Sequence, residues 1–463
     1  MVGAIDSTAV PGLGSIDIVF DRMRQHPGHP ALMWRGETIT YGMFLNLVGS
    51  WESRLAADGI RAGTVCAVLG DYSPQTCACF LALMRVRAIA VPFTRAGEHE
   101  RERLMELGGV EKLYEFATDD SWTLHDTGKV PTNQLVVSFA QRLVPGLIVF
   151  TSGSTGTPKG ILHDCERVMR KFVTERRGWR TVLFLLMDHF GGFNTFLSAF
   201  AYGGVGVCVG ERTAEAVCRA IEDGKADLLP TTPTFLNLLV ASGTYRDFDL
   251  SSIELISYGT EVMPEETLKR LRIAFPNAQL KQTYGLSELG VLRSKSEGDD
   301  SVWVRIGGDG FEVKVLDNIL WVRSEASMVG YLNAPSPFDA EGWMCTGDHV
   351  EVRGDYLRIL GRKSEFINVG GQKVFPSEIE TILLQAPNVQ QATAFAVPHP
   401  LMGQVVHARV SLAEPEETAE LTKRLRKHCV ERMAKYKVPM RFVIVDESEQ
   451  RSERFKKIRR LEQ

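Results

Sequence analysis

Apolar positions along the first 300 residues recur with two alternating periods. Phe44, Val48, Trp51 and Leu55 fall three or four apart, the spacing of one helix face, and Thr40 stands where an N-cap belongs. Gly59 then marks a stop, and the continuous apolar run at 64–70 predicts a buried strand. The same reading predicts a helix over 75–85 and strands over 88–92 and 147–150. Beyond residue 180 it predicts strands at 181–187, 205–209, 227–229, 253–257 and 280–283. Helices at 193–201, 214–222, 234–241 and 264–275 separate them. Repeated β-α-β of this kind implies parallel sheets covered by helices.

After about residue 300 the rhythm shortens. Strands predicted at 311–315, 319–323, 349–352 and 356–360 are joined by turn pairs such as Asp317-Asn318 and Gly354-Asp355, an antiparallel pattern. From residue 364 helices and strands mix again. Ser377 and Glu380 have the spacing of a capping box opening a helix over 377–385. Strands at 394–398, 404–411 and 441–446 flank a charged helix over 418–433, with the acidic stretch 414–417 as its solvated start. The expected organisation is α/β: a large N-terminal core, 1–361, of stacked βα subdomains with a small β-barrel-like section. A small mobile α+β domain, 362–463, would follow.

Composition narrows the class. Among 463 residues, 44% are hydrophobic and 24% charged, which is ordinary for a globular protein and excludes collagen-like or disordered chains. A net charge of −4 gives no basic excess for duplex nucleic acid. No stretch reaches the roughly 18 apolar residues of a membrane span. The first thirteen residues hold no Lys or Arg, so they lack a secretory n-region, and a cytoplasmic location is expected. The eight cysteines sit mostly in apolar stretches and read as buried free thiols.

One decapeptide carries chemistry. Thr151-Ser-Gly-Ser-Thr-Gly-Thr-Pro-Lys-Gly160 follows an apolar strand and packs three glycines and five hydroxyl residues into ten positions. Such a turn offers N–H and O–H donors that wrap phosphate oxygens, and Lys159 adds a positive charge. It is not the Walker pattern.

This segment resembles the phosphate loop of the adenylate-forming (ANL) superfamily, which includes acyl- and aryl-CoA synthetases and adenylation domains. Gln282-Thr-Tyr-Gly-Leu-Ser-Glu288 resembles the family's YGxTE motif, and Gly342-Trp-Met-Cys-Thr-Gly-Asp348 its GWxxTGD motif. Leu360-Gly-Arg-Lys-Ser-Glu365 sits where the family hinge sits. Val369-Gly-Gly-Gln-Lys-Val-Phe-Pro-Ser-Glu-Ile-Glu380 resembles the loop opening its C-terminal domain, and Tyr436-Lys-Val-Pro439 and Lys457-Ile-Arg-Arg460 its tail. The resemblance spans nearly the whole chain, with shorter connections than usual at 92–141 and 305–323.

The resemblance implies activation of a carboxylic acid by ATP and Mg²⁺ to an acyl-adenylate, then transfer to a thiol. Thr151, Ser152, Gly153, Ser154, Thr155, Gly156 and Lys159 would hold the β- and γ-phosphates, with Ser287 supplying a further hydroxyl. Glu288 would ligate Mg²⁺, which favours oxygen ligands. Tyr284 and Gly285 would stack on adenine, with Gly259, Thr260 and Glu261 along its edge. Asp348 and Arg362 would take the ribose. Thr155, Glu288, His189 and Lys457 would be the catalytic group, Lys457 bridging the carboxylate and the α-phosphate. Relatives carry Gly before that lysine in a Ser-Gly-Lys turn, whereas this chain has Phe455-Lys456-Lys457, which leaves Lys456 a rival. Gly370 and Gly371 would let a pantetheine arm pass.

Met187-Asp-His-Phe-Gly-Gly-Phe-Asn194 resembles the H-x-G-G stretch of acyl- and aryl-CoA ligases. The acid pocket would then involve Asp188, His189, Phe190, Gly192, Phe193, Ser257, Gly259 and Leu286, and would favour an apolar acyl or aryl acid. Asp188 keeps open an amino-acid substrate. The thiol acceptor would be CoA or a separate carrier protein, and an amine acceptor is a third reading. No nucleic acid and no integral membrane segment are expected.

Overall fold

The computed structural model describes residues 14–95, 100–151, 158–452 and 455–459. Two seven-stranded sheets dominate the N-terminal part. In one, six parallel strands run in the order Gln279–Gln282, Leu255–Tyr258, Leu228–Thr231, Arg180–Leu183, Val205–Cys208 and Pro30–Trp34. The antiparallel strand Glu37–Thr40 closes that sheet. The other sheet has Val65–Leu69, Ile89–Phe93, Gly146–Thr151 and Lys112–Phe116 in parallel, with antiparallel strands Lys159–Asp164, Gly330–Tyr331 and Trp122–Asp126 at its margins. Parallel sheets need cover on both faces, which is why Val65–Leu69, Ile89–Phe93 and Gly146–Thr151 read as continuous apolar runs.

Helix Tyr41–Ala57 is capped by Thr40, whose hydroxyl accepts from the Met43 amide. It buries Phe44, Val48, Trp51 and Leu55, the face its periodicity predicted. Helix Phe190–Ala201 lies against the same core through Phe193, Phe196 and Phe200. Phe193 and Phe196 both pack on Phe80, with centroids 5.9 and 6.0 Å away. Each buried phenylalanine contributes roughly 1.5–3 kcal/mol. The helix therefore stands as a fixed wall behind the residues that precede it.

Six antiparallel strands form the third sheet, in the order Ser294–Ser296, Trp303–Ile306, Tyr356–Arg362, Met344–Arg353, Ile319–Ser324 and Phe311–Leu316. The strand Tyr356–Arg362 carries the chain to a turn at 363–365. Beyond it, Ile367–Val369, Gln372–Val374, Val389–His399, Gly403–Leu412 and Arg441–Ile444 make a separate sheet covered by helices Pro376–Leu384 and Thr418–Val430. This C-terminal unit has its own apolar core, including Val374, Ile379, Leu383, Leu421 and Leu425.

The capping box read at Ser377 and Glu380 is not formed. Pro376 opens the helix with Phe375 at the N-cap and no side-chain cap. Ser377 instead donates to the Leu360 carbonyl, and Glu380 points inward and is buried. The spacing of a cap is shared by any buried acid one turn into a helix, and here tertiary partners claim it. All eight cysteines are free, and only Cys345 is exposed. No helix among the described residues is long and apolar enough to cross a membrane.

Candidate active site

The carboxyl ends of the six parallel strands share one edge, the usual place for a ligand in an open α/β sheet. Tyr284 follows the last of them and is buried. Its hydroxyl donates to Asp348 Oδ2, while Arg362 Nε donates to Asp348 Oδ1 at 3.2 Å. Asp348 and Arg362 are register partners across the third sheet, so the pair is set by strand geometry. Burial first, then the Asp348 carboxylate, pushes the Tyr284 phenol far above its ordinary value, which keeps it a donor. Each Asp348 oxygen retains a lone pair for a ligand hydroxyl. Asp348→Ala is expected to strand the Tyr284 hydroxyl without its acceptor, costing about 1–3 kcal/mol of stability. Thermal unfolding reads this loss.

A second group forms around Glu288. The Tyr331 hydroxyl donates to Glu288 Oε1 at 2.6 Å, and the Met328 amide donates to the Glu288 carbonyl at 2.8 Å. Lys159 Nζ lies 4.8 Å from the Tyr331 ring centroid, so cation, phenol and carboxylate follow one another. Thr151 pairs with Lys159 across the strands that lead into and out of the glycine-rich segment. Asn333 fixes the exit: its Oδ1 accepts from the Gly160 amide at 3.1 Å and its Nδ2 donates to the Pro158 carbonyl at 2.9 Å. Ser152, Gly153, Ser154, Thr155 and Gly156 lie outside the described residues. Tyr331 and Asn333 are absent from the sequence reading. They lie some 170 residues along the chain from the loop they hold, and nothing local marks them.

No group of three His, Cys, Asp or Glu among the described residues could hold a metal. A single carboxylate, Glu288, fits Mg²⁺ nonetheless, because this ion takes one or two carboxylates and completes its shell with phosphate oxygens and water.

The loop after Leu255–Tyr258 is tightly built. A β-carbon on Gly259 would come 2.5 Å from Thr283 Oγ1, and one on Gly285 would come 2.8 Å from the Gly290 carbonyl oxygen. Thr260 adopts φ +72°, a strained value for a β-branched residue. The Glu261 carboxylate is engaged through both oxygens. Its Oε2 accepts from Thr234 Oγ1 at 2.6 Å, and its Oε1 accepts from the Lys457 amide at 2.8 Å. Ser257 sits on the strand itself, half-buried, as is Leu286 in the short hairpin Gly285–Leu286 with Gly290–Val291.

The pocket residues divide. His189 is half-buried at the N-cap of Phe190–Ala201. Phe190 packs on His163 at 4.5 Å. Gly192 is structural, since a β-carbon would meet the Leu186 carbonyl oxygen at 1.9 Å. Phe193 is fully buried core, because helical spacing turns it towards Phe80. Asp188 is buried and accepts from Thr94 Oγ1 at 2.9 Å. His163, which the sequence reading missed, is fully buried beside the Ser287 main chain. Neither ring nitrogen has a hydrogen-bond partner among the described residues. Burial pushes it down to about 3, so it is neutral.

The tail reaches the same strand edge. Arg451 and Lys457 pair in an isolated antiparallel bridge, and Phe455 is buried against the N-terminal core. The Lys457 ammonium is engaged within the C-terminal unit. It donates to Glu380 Oε2 at 2.8 Å and to the Ala392 carbonyl at 3.1 Å, within the C-terminal unit. Arg459 shares that carboxylate, with Nη2 at 3.1 Å from Oε2. A buried acid without a countercharge is costly, and Glu380 collects two. Lys456 is exposed, its amide donating to Ser452 Oγ at 3.3 Å. Gly370 and Gly371 form the turn between Ile367–Val369 and Gln372–Val374, both at positive φ, with the Gly371 amide on Asn368 Oδ1. A cavity of about 490 Å³ separates the two units elsewhere, lined by Met263, Arg358, Ser377, Tyr436 and Lys437 among others.

The AMP-binding enzyme family model matches residues 19–332, and that of the AMP-binding enzyme C-terminal domain matches residues 378–454. The chain belongs to the AMP-binding enzyme family. It is 26% identical over 473 residues to the 2-succinylbenzoate–CoA ligase of Bacillus subtilis, covering 92% of this chain and 93% of the relative. It is 26% identical over 489 residues to a medium/long-chain-fatty-acid–[acyl-carrier-protein] ligase of Mycobacterium tuberculosis, covering 89% and 88%. Among solved structures, the anthranilate CoA ligase AuaEII in complex with anthranoyl-AMP superposes with a TM-score of 0.79 at 21% identity, over 94% of this chain and 93% of that one. That likeness establishes the fold: the two sheets, the antiparallel section and the C-terminal unit are those of an adenylate-forming AMP-binding enzyme.

Proposed function

We propose that this AMP-binding enzyme activates an apolar acyl or aryl carboxylic acid with ATP, releasing pyrophosphate, and transfers the acyl group from AMP to a pantetheine thiol. The observation that carries this reading is the convergence of Tyr284, Asp348 and Arg362 with Glu288, Tyr331 and Lys159 beside the parallel-strand edge. Family membership supplies the reaction class. The acid's carboxylate oxygen bonds to the α-phosphorus as the bond to the pyrophosphate oxygen breaks. The thiol sulfur then bonds to the acyl carbon, AMP leaves, and the thiol proton goes to solvent. Each step needs cations where negative charge gathers.

Asp348 and Arg362 would hold the ribose, Tyr284 the base, and Lys159 the terminal phosphates together with the loop from Thr151. Mg²⁺, held by Glu288, would neutralise charge on the phosphates. Lys457 would leave Glu380, which keeps Arg459, and reach the reacting carboxylate. An apolar acid is favoured over an amino acid because Asp188, the group that would pair a substrate ammonium, is buried and engaged by Thr94. CoA and a holo carrier protein both present the required thiol, and the relatives include ligases of each kind by name.

Carboxylate-dependent ATP–pyrophosphate exchange across aliphatic, aryl and amino acids tests this, followed by acceptor trials with CoA and a holo carrier protein. Exchange with apolar acids and thioester formation are expected. Robust exchange with an amino acid, lost in Asp188→Ala, would overturn the acid assignment. Nucleotide binding with no exchange for any acid would make the chain a binding module.

A further inference from the structure

One aromatic side chain in the tail is placed for work that no motif residue performs. Phe455 belongs to the C-terminal unit by sequence, yet it is buried in an apolar cluster of the N-terminal core. Its ring lies 5.4 Å from Phe184 and 5.4 Å from Phe235, nearly perpendicular to the latter. Phe184 and Phe235 are themselves 4.3 Å apart. Phe184 comes directly after the strand Arg180–Leu183, and Phe235 is in the first turn of helix Pro233–Ser242, which follows Leu228–Thr231. Both therefore stand at the carboxyl ends of parallel strands, on the side of the sheet where the ligand residues gather.

The insertion is held by several polar contacts. Thr232 Oγ1 donates to the Phe455 carbonyl at 3.0 Å, and the Lys457 amide donates to Glu261 at 2.8 Å. Phe455 takes φ +52°, a left-handed value that a phenylalanine adopts only when its surroundings enforce it. The Arg451 guanidinium lies over the ring at 4.6 Å from its centroid. A ring so strained and so enclosed is a poor linker residue and a good wall.

We propose that Phe455 is the wall of the acid pocket contributed by the C-terminal unit, and that it selects acids by size in the adenylation step. This rests on the proposed function, which makes that strand edge the acid site. The selection belongs to the state in which the tail is docked. A thiolation step run with the tail displaced would not feel it. Hydrophobic pockets discriminate by one methylene about 10- to 200-fold at most, so loss of a whole ring should show clearly.

The test compares wild type with Phe455→Ala and Phe455→Leu in pyrophosphate exchange over straight-chain acids of increasing length and over benzoates of increasing bulk. Binding of non-hydrolysable acyl-adenylate mimics, one small and one large, is measured by calorimetry on the same proteins. Phe455→Ala should raise kcat/KM for large acids relative to small ones by about tenfold or more. The preference between the two mimics should shift in the same direction. Phe455→Leu should fall between. A variant that loses all acids in proportion, or weakens ATP alone, would overturn the inference and leave Phe455 a docking residue. Wild type that exchanges with no acid and binds neither mimic would overturn the proposed function, and this inference with it.

Discussion

Glu380→Ala is expected to destabilise the C-terminal unit by about 3–5 kcal/mol, because it leaves two partly buried cations without their anion. Glu380 is 2% exposed, and both Lys457 and Arg459 close on it. It also accepts from the Ala394 amide at 3.1 Å, so the carboxylate ties helix Pro376–Leu384 to strand Val389–His399 and to the tail at once. Burial alone would raise its carboxyl, but Arg459 and then Lys457 outweigh that and hold it down to about 2, against an ordinary 4.5. A carboxyl lowered on folding stabilises the native state above its unfolded value. That stability disappears as pH falls from about 4.5 through about 2 and amounts to about 3 kcal/mol. Urea unfolding of wild type should therefore weaken across that window, while Glu380→Gln should start weaker and vary less. Parallel curves for the two proteins would show that the pair does not bear the load.

Lys457→Ala is expected to lower adenylate formation about 10²- to 10³-fold, the usual loss when one group stabilising transition-state charge is removed. Thioester formation from supplied acyl-adenylate should change only a few-fold. Stability should fall far less than in Glu380→Ala, because Arg459 remains on the carboxylate. Single-turnover assays of each half-reaction separate these effects. The same pattern in Lys456→Ala, with Lys457→Ala active, would move the reacting ammonium one residue. Loss of both half-reactions in Lys457→Ala would show that the lysine only holds the tail.

How much of this was legible in the sequence depends on how far apart the partners stand. The strands Val65–Leu69 and Gly146–Thr151 lie where continuous apolar runs placed them, since a strand buried on both faces announces itself locally. Thr40 is a cap because its partner, Met43, is three residues away. Ser377 and Glu380 carry the same lettering as a cap, but their partners come from Leu360, Ala394, Lys457 and Arg459, which no local pattern can report. The motif residues Tyr284 and Asp348 were named singly. Their hydrogen bond follows only once two sheets are brought edge to edge. Tyr331 and Asn333 were missed for that reason, and so was the burial of Phe455, whose cluster draws on positions more than 200 residues earlier.

Cys345 gives the molecule a natural point of attachment. It is exposed on the strand Met344–Arg353, three positions before Asp348, while the other cysteines are wholly or partly hidden. A maleimide dye should couple there in the native enzyme with little competition from other thiols. Its emission would then report on the strand that carries Asp348, in a protein that needs no cysteine removed beforehand.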